Sequence, residues 1–403
     1  MDLRERRTDI DWLRVLAFYL LIFYHVGMFF VPWGFHFKNG TTAEWFETWM
    51  AFLSQWRLPL LFLVSGVGVC YALGKRSAKQ FMGERAKRLL IPLIFGMLVI
   101  VPPQIYFERL TQGVHYANYF DFWKTVFSFV PYPQGGSLSW HHLWYVLYIL
   151  VFSFIMLPLF LYLRGDKSAK LRGRLSGFIK KHPASIYSLM IPLLFIYYTL
   201  SPIFPTTHAL IGDWYNLSFS LVFFVTGFLI STVDGFWDVI ASLRRKSLII
   251  SLFPMLFLLL FVWGPTFEIM NEDTNSFFLF YGALKTLMIS TLILAILGYA
   301  KTYLNRPGKF IKYANESVYP LYILHQSVQL TIGYYILRLD WAIMPKFFLL
   351  IAGTFGLSFL IYELFIKRFG FMRLLFGLKS LDKKRKIEAE TPAADRLAVE
   401  KEA

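Results

Sequence analysis

The sequence is poor in charge and has almost no cysteine. Only 16% of its 403 residues are charged, whereas 57% are hydrophobic. A chain this apolar is not an ordinary soluble protein, and the composition predicts a polytopic membrane protein. The one cysteine, Cys70, excludes an internal disulfide framework and a cysteine-based metal cluster. No HExxH or comparable metal-ligand motif occurs, so we expect no metal.

Long apolar runs follow one another along most of the chain. A run of about 20 residues crosses a ~30 Å hydrocarbon core as an α-helix. The sequence therefore predicts an all-α membrane bundle of about ten transmembrane helices. We place them near residues 10–30, 45–72, 89–108, 138–163, 183–203, 214–232, 248–264, 277–298, 318–338 and 345–366.

The formal net charge of +16 could suggest nucleic-acid binding, but the basic residues lie in short loops between apolar runs. With the N-terminus inside, 33 of the 41 lysines and arginines fall on the inner side. This bias follows the positive-inside rule and predicts that both termini are cytoplasmic. We expect contact with membrane lipids and none with nucleic acid. Residues 1–378 are the predicted transmembrane domain, and the charged segment 379–403 is a predicted disordered cytoplasmic tail.

The first predicted span retains ionisable groups. Arg14 and His25 are eleven residues apart, so a helix places them on one face about 16 Å from each other. Such groups within a span indicate a functional site unless they are otherwise satisfied. Asp11 lies three residues before Arg14, and this pair could neutralise itself as a topological anchor. His25 is either a general base or a hydrogen-bonded packing residue.

Three further arginines lie within a predicted span or at the inner membrane surface, where their charge must be balanced. Arg57 falls near the middle of the second span, two residues before Pro59, and is either a structural ion pair or a ligand contact. Arg85 and Arg88 are three residues apart at the inner surface, a spacing that suits bidentate contacts to phosphate. Contact with anionic lipid explains the same pair equally well.

An aromatic and histidine cluster opens the fourth span. His142 and Trp144 follow His141, and interfacial aromatics commonly anchor a helix. Adjacent histidines project from different helix faces, so this pair alone does not predict a two-histidine metal site.

The ninth span carries a polar stripe. Tyr322, His325 and Gln329 are spaced i, i+3, i+7, so they should face the bundle interior and not lipid. Glu363 near the end of the tenth span has Lys367 four residues later, which predicts a surface ion pair.

Taken together, these stretches resemble the acyltransferase-3 family of integral membrane acyltransferases. Within it, the first span and the sequence around Tyr362–Arg368 are more similar to the glucan biosynthesis protein C branch, associated with succinylation of periplasmic glucans. The motifs that carry the resemblance are Asp11-Trp-Leu-Arg14 with the Arg-X10-His spacing to His25, Arg57-Leu-Pro-Leu-Leu-Phe-Leu-Val-Ser-Gly66, Arg85-X-X-Arg88, His142-Leu-Trp144 and Tyr319-Pro-Leu-Tyr-Ile-Leu-His325.

The resemblance implies transfer of an acyl group from cytoplasmic acyl-CoA, either acetyl-CoA or succinyl-CoA, to a hydroxyl of an extracytoplasmic carbohydrate. The resemblance leaves open whether the protein forms a homo-oligomer. The implied roles are catalysis for His25, Arg14 and Asp11, donor binding for Arg85, Arg88 and Arg57, and substrate or supporting contacts for His142, Trp144, Tyr322, His325 and Glu363.

Two other functions remain open from the sequence. The same intramembrane polar residues could line the pathway of a saccharide transporter or lipid-linked glycan flippase. A structural scaffold for an envelope synthase is the third interpretation.

Overall fold

The computed structural model describes residues 7–264 and 275–381, and this part of the chain is helical without a β-strand. Most of the predicted tail, residues 382–403, lies outside the described residues. The α-helices are α1 (Thr8–Gly27), α2 (Glu44–Leu73), α3 (Ala78–Arg85), α4 (Ile91–Phe95), α5 (Pro102–Thr111), α6 (Tyr119–Lys124), α7 (Trp144–Ile155), α8 (Leu157–Arg164), α9 (Ala169–Lys181), α10 (Ile191–Leu200), α11 (Trp214–Thr232), α12 (Phe236–Phe261), α13 (Asn275–Tyr303), α14 (Lys309–Ile336), α15 (Ile343–Ile361) and α16 (Gly370–Leu375).

Seven helical stretches in the described residues are long and apolar enough to cross a membrane, and the pair His141–Ile155 and Leu157–Arg164, bent by 56°, makes an eighth if it counts as one span. These eight coincide with eight of the ten predicted spans. The other two predicted spans correspond to α12 and α14. Basic residues occupy the first half of α12 and a polar stripe runs along α14, so neither has a sufficiently apolar window. The all-helical class is confirmed, while the count of ten and the side of the termini stay predictions.

The third span is not one regular helix. Two wider π-helical turns, Ala86–Leu90 and Gly96–Ile100, interrupt it between α3 and α5. Each turn precedes an α-helix that has proline at one of its first two positions, where a missing N–H is tolerated. π-Turns often mark functional positions, and the first of these contains Arg88.

The chain divides into two compact units, each made of three segments. The first unit contains Met1–Ala17, Glu47–Met82 and Tyr148–Arg306. The second unit contains Phe18–Phe46, Gly83–Leu147 and Pro307–Ala403.

In the first unit, α2 and α11 cross at two glycines. A Cβ on Gly66 would lie 1.9 Å from the carbonyl oxygen of Phe224, and a Cβ on Gly227 would lie 1.9 Å from that of Leu63. Small residues at a crossing let two helix backbones approach closely. Gly66 and Gly227 therefore set the separation of α2 and α11.

In the second unit, α14 packs against α5 and α15. Fully buried apolar side chains from the end of α1 and the residues after it, from α14 and from α15 form one cluster. The buried face of α14 also carries polar residues. The predicted stripe is confirmed, since Tyr322, His325 and Gln329 are at most 2% exposed. The apolar cluster is Val26, Phe29, Phe30, Leu330 and Leu350.

Candidate active site

Two histidines from different helices meet in the second unit. His25 lies in the last turn of α1, and His325 is fully buried on α14. The Nδ1 atom of His25 is 2.9 Å from Nε2 of His325, and the rings stack with centroids 5.1 Å apart. The structure thus brings the predicted base, His25, together with the histidine of the predicted stripe, His325.

A backbone carbonyl fixes the proton positions of this pair. Nδ1 of His325 lies 2.5 Å from the carbonyl oxygen of Tyr322, and a carbonyl can only accept a hydrogen bond. In neutral His325 the proton is therefore on Nδ1, and Nε2 accepts from Nδ1–H of His25. The lone pair of neutral His25 is then on Nε2, which is the form that can take a proton from a hydroxyl group.

His142 is buried beside the pair. Its Nε2–H donates to the carbonyl of Ile323 at 3.0 Å, and the Tyr322 hydroxyl donates to the His142 carbonyl. The ring of His142 lies edge-on to that of His325, with centroids 5.1 Å apart. Trp144, predicted with His142, is also buried in this unit, at the start of α7.

A polar network extends from His142 to a carboxylate. Gln104 donates to Nδ1 of His142 at 3.1 Å, and its amide oxygen accepts from Gln326 at 3.2 Å. The Gln326 amide nitrogen is also 3.1 Å from Nε2 of His36. Nδ1 of His36 is 2.5 Å from Oε2 of Glu108. All five side chains in this network are buried or part-buried, and their hydrogen-bonding groups satisfy one another along it.

Sequence reasoning did not assign Gln104, His36, Gln326 or Glu108. Gln104 and Glu108 could have been found, because they are spaced i, i+4 at the end of the third predicted span. His36 lies in the loop after α1, where no helical periodicity points to it.

The predicted ion pair between Asp11 and Arg14 forms in the first unit. Nη1 of Arg14 is 3.2 Å from Oδ1 of Asp11, and Nη2 of Arg14 passes 3.5 Å from the Cβ position of Gly68. This is the self-neutralising i, i+3 pair expected from the sequence.

Arg57 is also in the first unit, on α2, and only 4% exposed. It contributes to the electrostatics of His208, in the loop before α11. Burial lowers the pKa of His208; Asp213 opposes this shift and Arg57 adds to it. Asp213 caps α11 by accepting from the backbone of Asn216 at 3.2 Å, and it also accepts from the backbone N–H of His208 at 2.7 Å.

Arg85 and Arg88 lie in the second unit. Arg85 ends α3, and Nε of Arg88 donates to the carbonyl of Gly377 at 3.1 Å. A Cβ on Gly377 would come within 2.7 Å of the Tyr319 ring, so close packing holds this corner together. Tyr319 is the first residue of the last predicted motif, and its buried hydroxyl has no hydrogen-bond partner within the described ranges.

Glu363 does not join the histidine cluster. Its carboxylate is 2.9 Å from Nζ of Lys367 and accepts from the Tyr313 hydroxyl at 2.7 Å. The i, i+4 pair predicted for Glu363 is therefore present.

A family model described as an acyltransferase domain, acyltransferase-3, matches residues 7–363. The chain belongs to the acyltransferase-3 family. The match covers nearly the whole chain, including most of both units and every helix that contributes to the histidine cluster.

Curated relatives of this acyltransferase-3 chain are distant. Glucans biosynthesis protein C from Salmonella paratyphi B, Salmonella dublin and Salmonella enteritidis PT4 is 20% identical over 197 residues. The matched region is 47% of this chain and 46% of each relative, so the chain spans about half the length of the curated relatives it matches. No solved structure matches the chain. The family match shows that the chain carries an acyltransferase-3 domain.

Proposed function

We propose that this family member is an O-acyltransferase of the bacterial inner membrane. It takes an acetyl or succinyl group from the corresponding coenzyme A thioester on the cytoplasmic side and transfers it to a hydroxyl of an extracytoplasmic glycan. The family match and the inner-side bias of lysine and arginine support this reaction and orientation. Because the distant relatives are glucans biosynthesis proteins, a periplasmic glucan is the first acceptor to test.

In the proposed reaction His25 is the general base. Its Nε2 accepts the hydroxyl proton while the acceptor oxygen attacks the thioester carbonyl. The carbon–sulfur bond then breaks, and the coenzyme A thiolate takes the proton from His25. The observation that carries this proposal is the hydrogen-bond series from the Tyr322 carbonyl through His325 to His25, because it leaves the required lone pair on Nε2.

Arg85, Arg88 and Arg57 are the proposed donor-binding residues. Guanidinium groups bind phosphate bidentately, and coenzyme A carries several phosphates. The hydrogen bond from Arg88 to Gly377 fixes the direction of one such group, which reduces the ordering needed when the donor binds.

The other predicted residues have supporting roles in this proposal. His142 and Tyr322 pack beside His325, and Trp144 is buried in the same unit. The Asp11–Arg14 ion pair lies near the start of the helix that carries His25. Glu363 is assigned a packing role, since Lys367 and Tyr313 already engage its carboxylate.

The test is acyl transfer by the purified chain in detergent or liposomes, with labelled acetyl-CoA or succinyl-CoA and a soluble glucan. His25→Ala is expected to lower the transfer rate by about 10² to 10⁴. His115→Ala, at an exposed position in residues 109–137, the predicted outer loop between the third and fourth spans, is the matched histidine control and should retain the rate. Glycan movement without covalent label would instead favour a transporter, and an unchanged rate in His25→Ala would remove it as the base.

A further inference from the structure

A second group of potential ligands lies at the far end of the polar network. His36, Glu108 and His141 place one ligand atom each within 4.8 Å of the others. They come from the loop after α1, the end of α5 and the turn before α7, all in the second unit. Glu108 is only 6% exposed, which distinguishes it from a surface carboxylate. Two histidines and one carboxylate form a donor set found in catalytic zinc sites.

The ring nitrogens of His141 lack the hydrogen bonds that buried polar atoms require. Both of its ring nitrogens are buried, and neither has a hydrogen-bond partner within the described part of the chain. Its ring stacks on that of His36 at 4.9 Å and contacts that of Tyr132 at 4.9 Å. Its backbone φ of 37° is positive, which is uncommon for a residue other than glycine. Burial of an unpaired imidazole in a strained backbone indicates that something else satisfies one of its nitrogens.

The surroundings of the group provide outer contacts for a bound ion. The Tyr132 hydroxyl donates to Oε1 of Glu108 at 2.5 Å, so it orients the carboxylate. A metal-bound histidine usually donates its other ring N–H to an acceptor. Gln326 lies 3.1 Å from Nε2 of His36, and its amide oxygen would accept that hydrogen bond if the amide turned. This turn would replace the hydrogen bond from Gln326 to the Gln104 oxygen with a contact between two oxygens, so the Gln104 side chain would have to shift with it.

We propose that His36, Glu108 and His141 bind one divalent transition-metal ion, with Zn²⁺ preferred and a fourth position left for water or substrate. Imidazole ligands favour zinc, whereas Ca²⁺ and Mg²⁺ take oxygen ligands. No local motif predicts this group, because its three ligands come from separate segments of the chain. The proposal does not depend on the acyl donor or acceptor proposed above.

The experiment measures metal directly. The full chain, purified in detergent with an affinity tag free of histidine, is stripped with a chelator, dialysed against Zn²⁺ and then freed of unbound ion. Mass spectrometry should find about one zinc per chain. Replacing Zn²⁺ with Co²⁺ should give visible absorption bands that report nitrogen and oxygen ligands in a low-coordinate site.

His141→Phe is the deciding variant, because phenylalanine keeps the ring stacking and removes both nitrogens. It should lower zinc affinity at least tenfold, while the metal-free protein unfolds at the same or a higher temperature. Glu108→Gln should weaken zinc in the same way, and His115→Ala should bind like the wild type. Less than about one tenth of a zinc per wild-type chain at saturation, or unchanged affinity in His141→Phe, would overturn the proposal.

Discussion

His25 acquires its proposed chemical role from a residue 300 positions away in the sequence. An isolated histidine in solution exchanges between two neutral tautomers. Here the helix backbone at Tyr322 fixes the tautomer of His325, which in turn fixes that of His25. His325 is thus a positioning residue in the proposed reaction.

Replacing His325 tests that positioning role. His325→Leu removes the acceptor for Nδ1–H of His25, so kcat should fall about 10- to 100-fold with little change in KM for the donor. His325→Gln keeps an amide oxygen that can accept this hydrogen bond and should restore part of the rate. A comparison of steady-state kinetics for the two variants checks this, and equal losses in both would exclude positioning through this hydrogen bond.

The proposed donor site gives a second residue-level prediction. The double substitution Arg85→Ala with Arg88→Ala removes the two proposed phosphate contacts and should raise the Kd for coenzyme A about tenfold or more. Lys87→Ala is the matched control, since it removes a neighbouring exposed cation that the proposal does not use. Calorimetric titration of coenzyme A compares the three proteins. Equal weakening by Lys87→Ala would indicate a general effect of surface charge.

His208 predicts a pH dependence of stability. Its pKa in the folded state is lowered, so between that value and about 6.5 the unfolded chain binds more protons than the folded one. Stability should therefore fall as the pH decreases below about 6.5 and be fully retained above it. His208→Gln removes this term, so its Tm should vary less between about pH 7.5 and pH 5.5. His182→Gln, at an exposed position, is the control and should vary like the wild type.

Among the helices, the crossing of α2 and α11 gives the sharpest prediction. Gly66→Ala places a methyl group against a backbone carbonyl, which cannot move away as a flexible side chain could. We expect the Tm in detergent to fall by several degrees, consistent with about 1–3 kcal/mol of overpacking. Gly227→Ala should behave alike.

Gly68→Ala is the control for that series on the same helix. Its Cβ would meet only Nη2 of Arg14, at 3.5 Å, an ordinary contact. A similar loss in Gly68→Ala and Gly66→Ala would show that helix α2 resists any substitution, and would contradict an effect specific to the crossing.

Helix existence was largely readable from the sequence, and side-chain partners were not. Each of the ten apolar runs coincides largely with helix in the structure, and the i, i+3 and i, i+4 rules predicted the Asp11–Arg14 and Glu363–Lys367 pairs, because these signals are local. The contact between His25 and His325 depends on how α1 packs on α14, which no local pattern encodes.

For the whole molecule, the sidedness of the termini is open to experiment. Cys70 is the only cysteine and is buried, so Cys70→Ser provides a background free of reactive thiols. In that background we expect Ser77→Cys to react with an impermeant thiol reagent only after the membrane is broken. Ser128→Cys should react in intact spheroplasts, because it lies in the predicted outer loop. The reverse pattern would overturn the predicted orientation.

The family motifs span the whole chain, and their residues contribute in different ways. His25 and His325 contribute imidazoles, whereas the proline that follows Tyr319 contributes backbone geometry. A sequence alone cannot separate these contributions, since both give a match at a given position.

Gly66, where α2 meets the Phe224 carbonyl, is also the last residue of the motif that begins at Arg57. A genetic screen that scores only product formation would class a substitution there with losses of catalytic groups. Protein abundance in the membrane, measured in the same clones, would separate the two classes. A match at Gly66 therefore reports that another chain has the same close helix crossing, and it carries no information about which molecule that chain modifies.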